Sequence, residues 1–119
     1  MKVSRIYGFQ AASEILVFVD RLYPRGISKE QMAGVHWLKD ITPSAELRRW
    51  YHADPQGRFD EFAARYVEEL QGGAQQAALV QLRAWQQHGE VCLLTAVKNP
   101  ARSHVSVLLE VMGERLELK

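Results

Sequence analysis

The sequence predicts an α/β fold. It is expected to form a small three-layer domain in which a short, mostly parallel sheet of three to four strands is covered by helices. Three observations carry this expectation. Two apolar runs, Glu14–Asp20 and Glu90–Val97, have the composition of buried strands. Each ends in Pro/Gly or Asn-Pro punctuation that feeds a helical pattern. Helical spacing dominates the chain between them, and strands alternating with helices imply a parallel, layered arrangement.

Taken in order, Met1 to Phe9 reads as a strand stopped near Gly8, and Gln10 to Ser13 as a brief connection before the Glu14–Asp20 strand. Ser28-Lys29-Glu30-Gln31 has the form of a capping box, so a short helix begins there and Gly34 ends it. Val35-His36-Trp37 is a candidate third strand. Pro43-Ser44 opens a helix through His52, with Ser44 as N-cap. Phe59, Phe62, Ala63, Tyr66 and Leu70 fall on one face of the next helix, which Gly72-Gly73 breaks. Ala74 to Gln87 forms another, with Leu79, Leu82 and Trp85 inward and Gly89 as its stop. After the Glu90–Val97 strand, Asn99-Pro100 supplies an N-cap and first-turn proline. Val105, Leu108, Leu109, Met112 and Leu116 define the buried face of the last helix.

With 119 residues, the chain fits one domain (1–119) that can bury a core without disulfides or metals. The net charge of +1 gives no global field for nucleic acid or an anionic membrane. One cysteine, Cys92, cannot form an intramolecular disulfide, which fits a reducing cytoplasm. No segment reads as a signal peptide or membrane span. The four histidines, His36, His52, His88 and His104, share no metal-ligand spacing, so no metal is expected. Phosphate-loop and dinucleotide fingerprints are absent, as is a nucleophile elbow, and no cofactor is expected. Nothing positive points to haem, although His36, His52 and His104 leave that question open.

The chemistry concentrates at two strand-to-helix junctions, Asp20–Ser28 and Val97–His104. If the two strands are parallel neighbours, Asp20, Arg21, Arg25, Lys98 and His104 converge at their carboxyl ends, the usual ligand edge of an open α/β sheet. Asp20 and His104 are then the acid/base candidates, and Arg21, Arg25 and Lys98 the anion-binding ones. A structural alternative stands beside this. Asp20 with Arg21 and Arg25 could be an ion-pair knot that pins the loop at Pro24-Gly26, and His104 a satisfied helix-face histidine. A second block interleaves Trp37, Lys39, Arg48, Trp50, Tyr51 and His52. It could stack a ring while a cation holds phosphate. The competing reading, which we prefer for the two tryptophans, puts Trp37 and Trp50 in the core.

The same segments resemble a known family. Asp20-Arg21-Leu22-Tyr23-Pro24-Arg25-Gly26 is similar to the "V-D-R-L-W-P-R-G" signature of the YeaO-like family of small bacterial proteins, domain of unknown function 488. Trp37-Leu38-Lys39-Asp40-Ile41-Thr42-Pro43-Ser44 with Leu47-Arg48 resembles its second block. Phe59, Phe62, Tyr66 and Glu69-Leu70 resemble its third, and Leu93–Asn99 with Ser103-His104 its fourth. The chain departs from the family pattern where Tyr23 replaces Trp, where Val97 separates Ala96 from Lys98, and where Ser103 replaces Asn. The resemblance implies the fold more than a function, and it keeps Lys39 and Arg48 among the binding candidates.

Three function classes follow. One is a small enzyme acting on a phosphorylated or nucleotide-like substrate. Another is a non-catalytic binding or sensing module that uses the same pocket. The third, a weak nucleic-acid binder through the Trp37–His52 block, is disfavoured by the near-neutral charge. A homodimer stays open.

Overall fold

The computed structural model of the protein describes residues 1–10 and 12–119. The expected connection from Gln10 to Ser13 includes Ala11, which lies outside the described residues. Among the described residues, five strands form one sheet: β1 (Lys2–Arg5), β2 (Ile15–Phe18), β3 (Val35–Trp37), β4 (Val91–Thr95) and β5 (Glu117–Leu118). Their order across the sheet is β3-β2-β4-β1-β5, and all four pairings are parallel. The strand count exceeds the three to four expected. The additional strand, β5, has only two residues, too few to leave an alternating pattern.

Parallel strands are usually covered on both faces, so their residues alternate between two apolar sides rather than between core and water. On β2 and just beyond it, Val17 and Val19 enter one core cluster, while Leu16 and Phe18 enter another. On β4, Val91 and Leu93 join the first, Cys92 and Leu94 the second. The first cluster is the larger. It is built with side chains from α2 (Ala45–His52), α3 (Pro55–Glu69), α4 (Gly73–His88) and α5 (His104–Met112). The opposite face is covered more thinly, by Phe9, by Ile27 and by Met32 of the four-residue helix α1 (Lys29–Met32).

Local signals position the helices. The Ser28 hydroxyl accepts from the Gln31 N–H at 3.1 Å, and the Gln31 amide oxygen accepts from the Ser28 N–H at 2.8 Å, completing the capping box. Ser44 caps α2 through the Leu47 N–H at 3.1 Å, and Asp54 caps α3 through the Gly57 N–H at 3.2 Å. The last helix departs from expectation at both ends. Pro100–Arg102 is a separate 3-10 turn, and the extended backbone of Ser103 restarts the chain as the N-cap of α5. At the other end Gly113, with φ of 70°, stops the helix after Met112, so Leu116 packs on the core from beyond it.

Trp37 also departs from the core assignment. It sits on the short edge strand β3 with 36% of its surface exposed, because no strand lies outside it to cover the ring. Its indole N–H donates to the Asp20 carbonyl at 2.6 Å. Trp50 is half-buried, with the guanidinium groups of Arg58 and Arg65 over its ring.

Candidate functional site

The site follows from the register of β2 and β4. Phe18 lies opposite Leu94, and Val19 donates its N–H to the Leu94 carbonyl at 3.0 Å, so the next residue, Asp20, reaches the end of β4. There its Oδ1 accepts from the Thr95 hydroxyl at 2.7 Å and its Oδ2 from the Ala96 N–H at 2.7 Å. The first turn of α5 brings His104 to the same point. Its Nε2 lies 3.1 Å from Asp20 Oδ1 and 2.9 Å from the Val19 carbonyl oxygen. Since both neighbours are acceptors, Nε2 carries the proton that bridges them. The imidazole also packs edge-on against the buried ring of Tyr66, at 6.4 Å between centroids.

Asp20 and His104 side chains are 15% and 11% exposed. Burial alone would raise the Asp20 pKa. The hydrogen bond and charge of His104, with the donors at Ala96 and Thr95, outweigh it and hold the carboxyl below its ordinary range. The expected ion-pair alternative takes a different form from the one the sequence suggests. Among the described residues Asp20 pairs with His104 rather than with Arg21 or Arg25. Arg21 is committed elsewhere, its Nε donating to the Pro43 carbonyl at 2.8 Å. That contact ties the loop after β2 to the entry of α2.

Beside this cluster opens a cavity of about 440 Å³. The β2 end and the loop after it contribute Asp20, Arg21, Leu22, Tyr23, Pro24 and Arg25. Arg48, Tyr51 and His52 of α2 and Phe62 of α3 form a further wall. Ala96 and Val97 after β4, Arg102 of the 3-10 turn and His104 at the start of α5 close it. Of the sequence candidates, the structure therefore brings Asp20, Arg21, Arg25, Arg48 and His104 to one cavity. Lys39 and Lys98 are not among its lining residues. Lys39 lies over the Trp37 ring at 4.8 Å, and Lys98 is exposed after β4.

Charge at the cavity is one-sided. Among the described residues, Arg21, Arg25, Arg48 and Arg102 line it against a single acid, Asp20. Arg102 is partly engaged, its terminal nitrogens donating to the Pro55 and Gln56 carbonyls at 3.4 and 3.2 Å. The guanidinium groups of Arg25 and Arg48, which also line it, are not engaged in a hydrogen bond or ion pair with any described residue. Partial burial, with the neighbouring Arg48 guanidinium and His104 imidazole, holds His52 below its ordinary pKa. Tyr51 and His52 belong to the aromatic and basic block the sequence singles out, whereas Thr95, Phe62 and Arg102 are site residues that the sequence reading does not single out as such. Thr95 carries a usable signal, a polar residue closing a fully apolar strand. For Phe62 the helical spacing reports only burial.

Among the described residues, no cluster of three or more His, Cys, Asp or Glu side chains is arranged to hold a metal ion. No described helix is long and apolar enough to cross a membrane.

Comparison with known proteins decides the family. The profile of a family described as the inactive DUF488-N3 subclade matches residues 1–119. The chain belongs to the DUF488 family, in that subclade. An uncharacterized protein of Mycobacterium tuberculosis is 46% identical over 99 residues, covering 83% of this chain and 80% of the relative. The uncharacterized protein YeaO of Escherichia coli is 36% identical over 94 residues, 79% of each chain. No solved structure matches significantly. The family segments acquire physical roles in this fold. The Asp20 segment closes the β2 end, Ser44 and Glu69 bond to one another, and Phe62 and Tyr66 lie in the main core.

Proposed function

We propose that this DUF488 protein is a non-catalytic binding module for a small phosphate- or carboxylate-bearing ligand, held in the cavity at the carboxyl ends of β2 and β4. The observation that carries this reading is the state of Asp20. The one acid among the described residues lining the cavity already accepts hydrogen bonds from Thr95, Ala96 and His104. A carboxylate so saturated and held ionised is a poor general base, and His104 is committed to it through Nε2. What stays free to meet a ligand is cationic: Arg25 and Arg48, with the terminal nitrogens of Arg21. Guanidinium forks suit oxyanions because their paired N–H groups match two oxygens. The description of the subclade as inactive agrees with binding without turnover. We take the setting to be the cytoplasm, which the lone cysteine, Cys92, supports.

Calorimetric titration with inorganic phosphate and sulfate tests the reading. Saturable binding is expected, weakened tenfold or more in Arg25→Ala and Arg48→Ala. Binding unchanged in both variants, or absent in the wild type, would overturn the anion site. Chemical conversion of a bound phosphate ester would overturn the non-catalytic part.

A further inference from the structure

Accepting the anion site proposed above, we infer that its ligand carries the anionic group on a flat aromatic ring. The cavity is larger and less polar than an inorganic oxyanion requires. Its volume of about 440 Å³ falls within the roughly 300–1,000 Å³ typical of sites for organic ligands. Beyond the arginines, much of the lining is aromatic or otherwise apolar, including Tyr7, Tyr51, Phe62, Pro43 and Val97. A bare phosphate would satisfy the guanidinium groups and leave this surface wet.

The aromatic wall is preformed. The rings of Tyr51 and Phe62 stack with centroids 4.2 Å apart and planes 24° from parallel. Both residues are buried in the main core, which holds the pair against rotation. Held in this way, the pair gives the cavity a fixed apolar wall, which favours a flat partner over a flexible aliphatic one with little ordering cost. The free guanidinium groups of Arg25 and Arg48 are themselves planar, so they can stack on a ring as well as bind its anion. An aryl phosphate, or a nucleotide with its base as the ring, has this chemistry.

The test compares three probes by calorimetry on the intact protein: inorganic phosphate, glycerol phosphate and phenyl phosphate. Phenyl phosphate should bind at least tenfold tighter than the other two. Tyr51→Leu, which keeps an apolar side chain in the core but removes the ring, should reduce that preference to within about threefold while leaving inorganic phosphate affinity unchanged. Should Tyr51→Leu not fold, Tyr7→Ala gives a second reading, because Tyr7 is 39% exposed at the cavity; a reduced preference there supports the ring site. Phenyl phosphate binding within twofold of inorganic phosphate would overturn the aromatic inference and leave the anion site standing. So would a preference that survives unchanged in the folded variants. Failure of all three probes to bind would overturn both.

Discussion

The Glu69 carboxylate, in the last turn of α3, grips Ser44 at the start of α2 by two bonds. One oxygen accepts the Ser44 backbone N–H at 2.8 Å and the other accepts its hydroxyl at 2.6 Å. The same hydroxyl oxygen accepts the Leu47 N–H, so one acid both locks the N-cap and joins two helices. The contact also sets the entry of α2, the helix that carries Arg48, Tyr51 and His52 into the cavity wall. Glu69→Ala should therefore destabilise the fold by about 2 kcal/mol, the scale for removing charge-assisted hydrogen bonds from a partly buried site. Urea unfolding measures this, and a loss below about 0.5 kcal/mol would show that the pair contributes little.

Phe62 is the apolar counterpart of that joint. It is buried, stacks on Tyr51, and lies 6.1 Å from the ring of Tyr66. Truncation would remove the centre of an aromatic row that the surrounding helices cannot easily collapse to fill. Phe62→Ala is expected to cost about 3–5 kcal/mol. A cost under about 1 kcal/mol would mean the row repacks and the α2–α3 wall is less rigid than its geometry indicates.

Much of this architecture is legible in the residues, for identifiable reasons. Strands β2 and β4 are apolar on both faces because both faces are covered, so unbroken runs such as Val91–Leu94 expose them directly. The Ser28, Ser44 and Asp54 caps are local chemistry and need no tertiary knowledge. What escapes is set by partners distant in the chain. Strand β5 exists because Glu117 donates its N–H to the Met1 carbonyl at 3.1 Å, a pairing that two residues cannot advertise. Leu116 continues the i, i+4 spacing from Met112, so periodicity alone runs the last helix past the left-handed Gly113. The convergence of Asp20, Arg25 and His104 follows once β2 and β4 are parallel neighbours, whereas the identity of Asp20's partners depends on register. Lys98 is next to Val97 in sequence, yet it is exposed and outside the cavity, because adjacent residues leaving a strand point in different directions.

Arg25→Lys separates charge from geometry at the cavity. The substitution keeps one positive charge on an exposed loop position but replaces a planar fork by a single ammonium group. If the anion is held bidentately, phosphate affinity should fall about tenfold in Arg25→Lys, close to the loss in Arg25→Ala. Affinity equal to wild type would instead indicate that Arg25 acts only through long-range charge. In that case the affinity should fall steeply as salt is raised.

The Asp20 cluster makes a prediction with a definite direction in pH. Its carboxyl is held below the ordinary carboxylate value in the folded protein, so the unfolded chain takes up a proton more readily than the native one. Stability from this group is therefore fully present above the ordinary carboxylate value, near pH 4. It is lost as pH falls below that value toward the lower folded one. Asp20→Asn removes the charge while keeping the shape. Its amide also turns a donor toward the Ala96 N–H or toward the Thr95 hydroxyl and His104, where the carboxylate offers two acceptors. At pH 7 the variant should be less stable by about 1–3 kcal/mol, the cost of leaving buried donors unsatisfied. The gap to wild type should narrow as pH falls from 5 toward 3, since protonation of Asp20 takes the same charge from the wild type. Urea midpoints for both proteins at pH 7, 5, 4 and 3 measure this. A gap that stays constant across the series would mean that the ionised Asp20 does not contribute to holding the ends of β2 and β4 against α5.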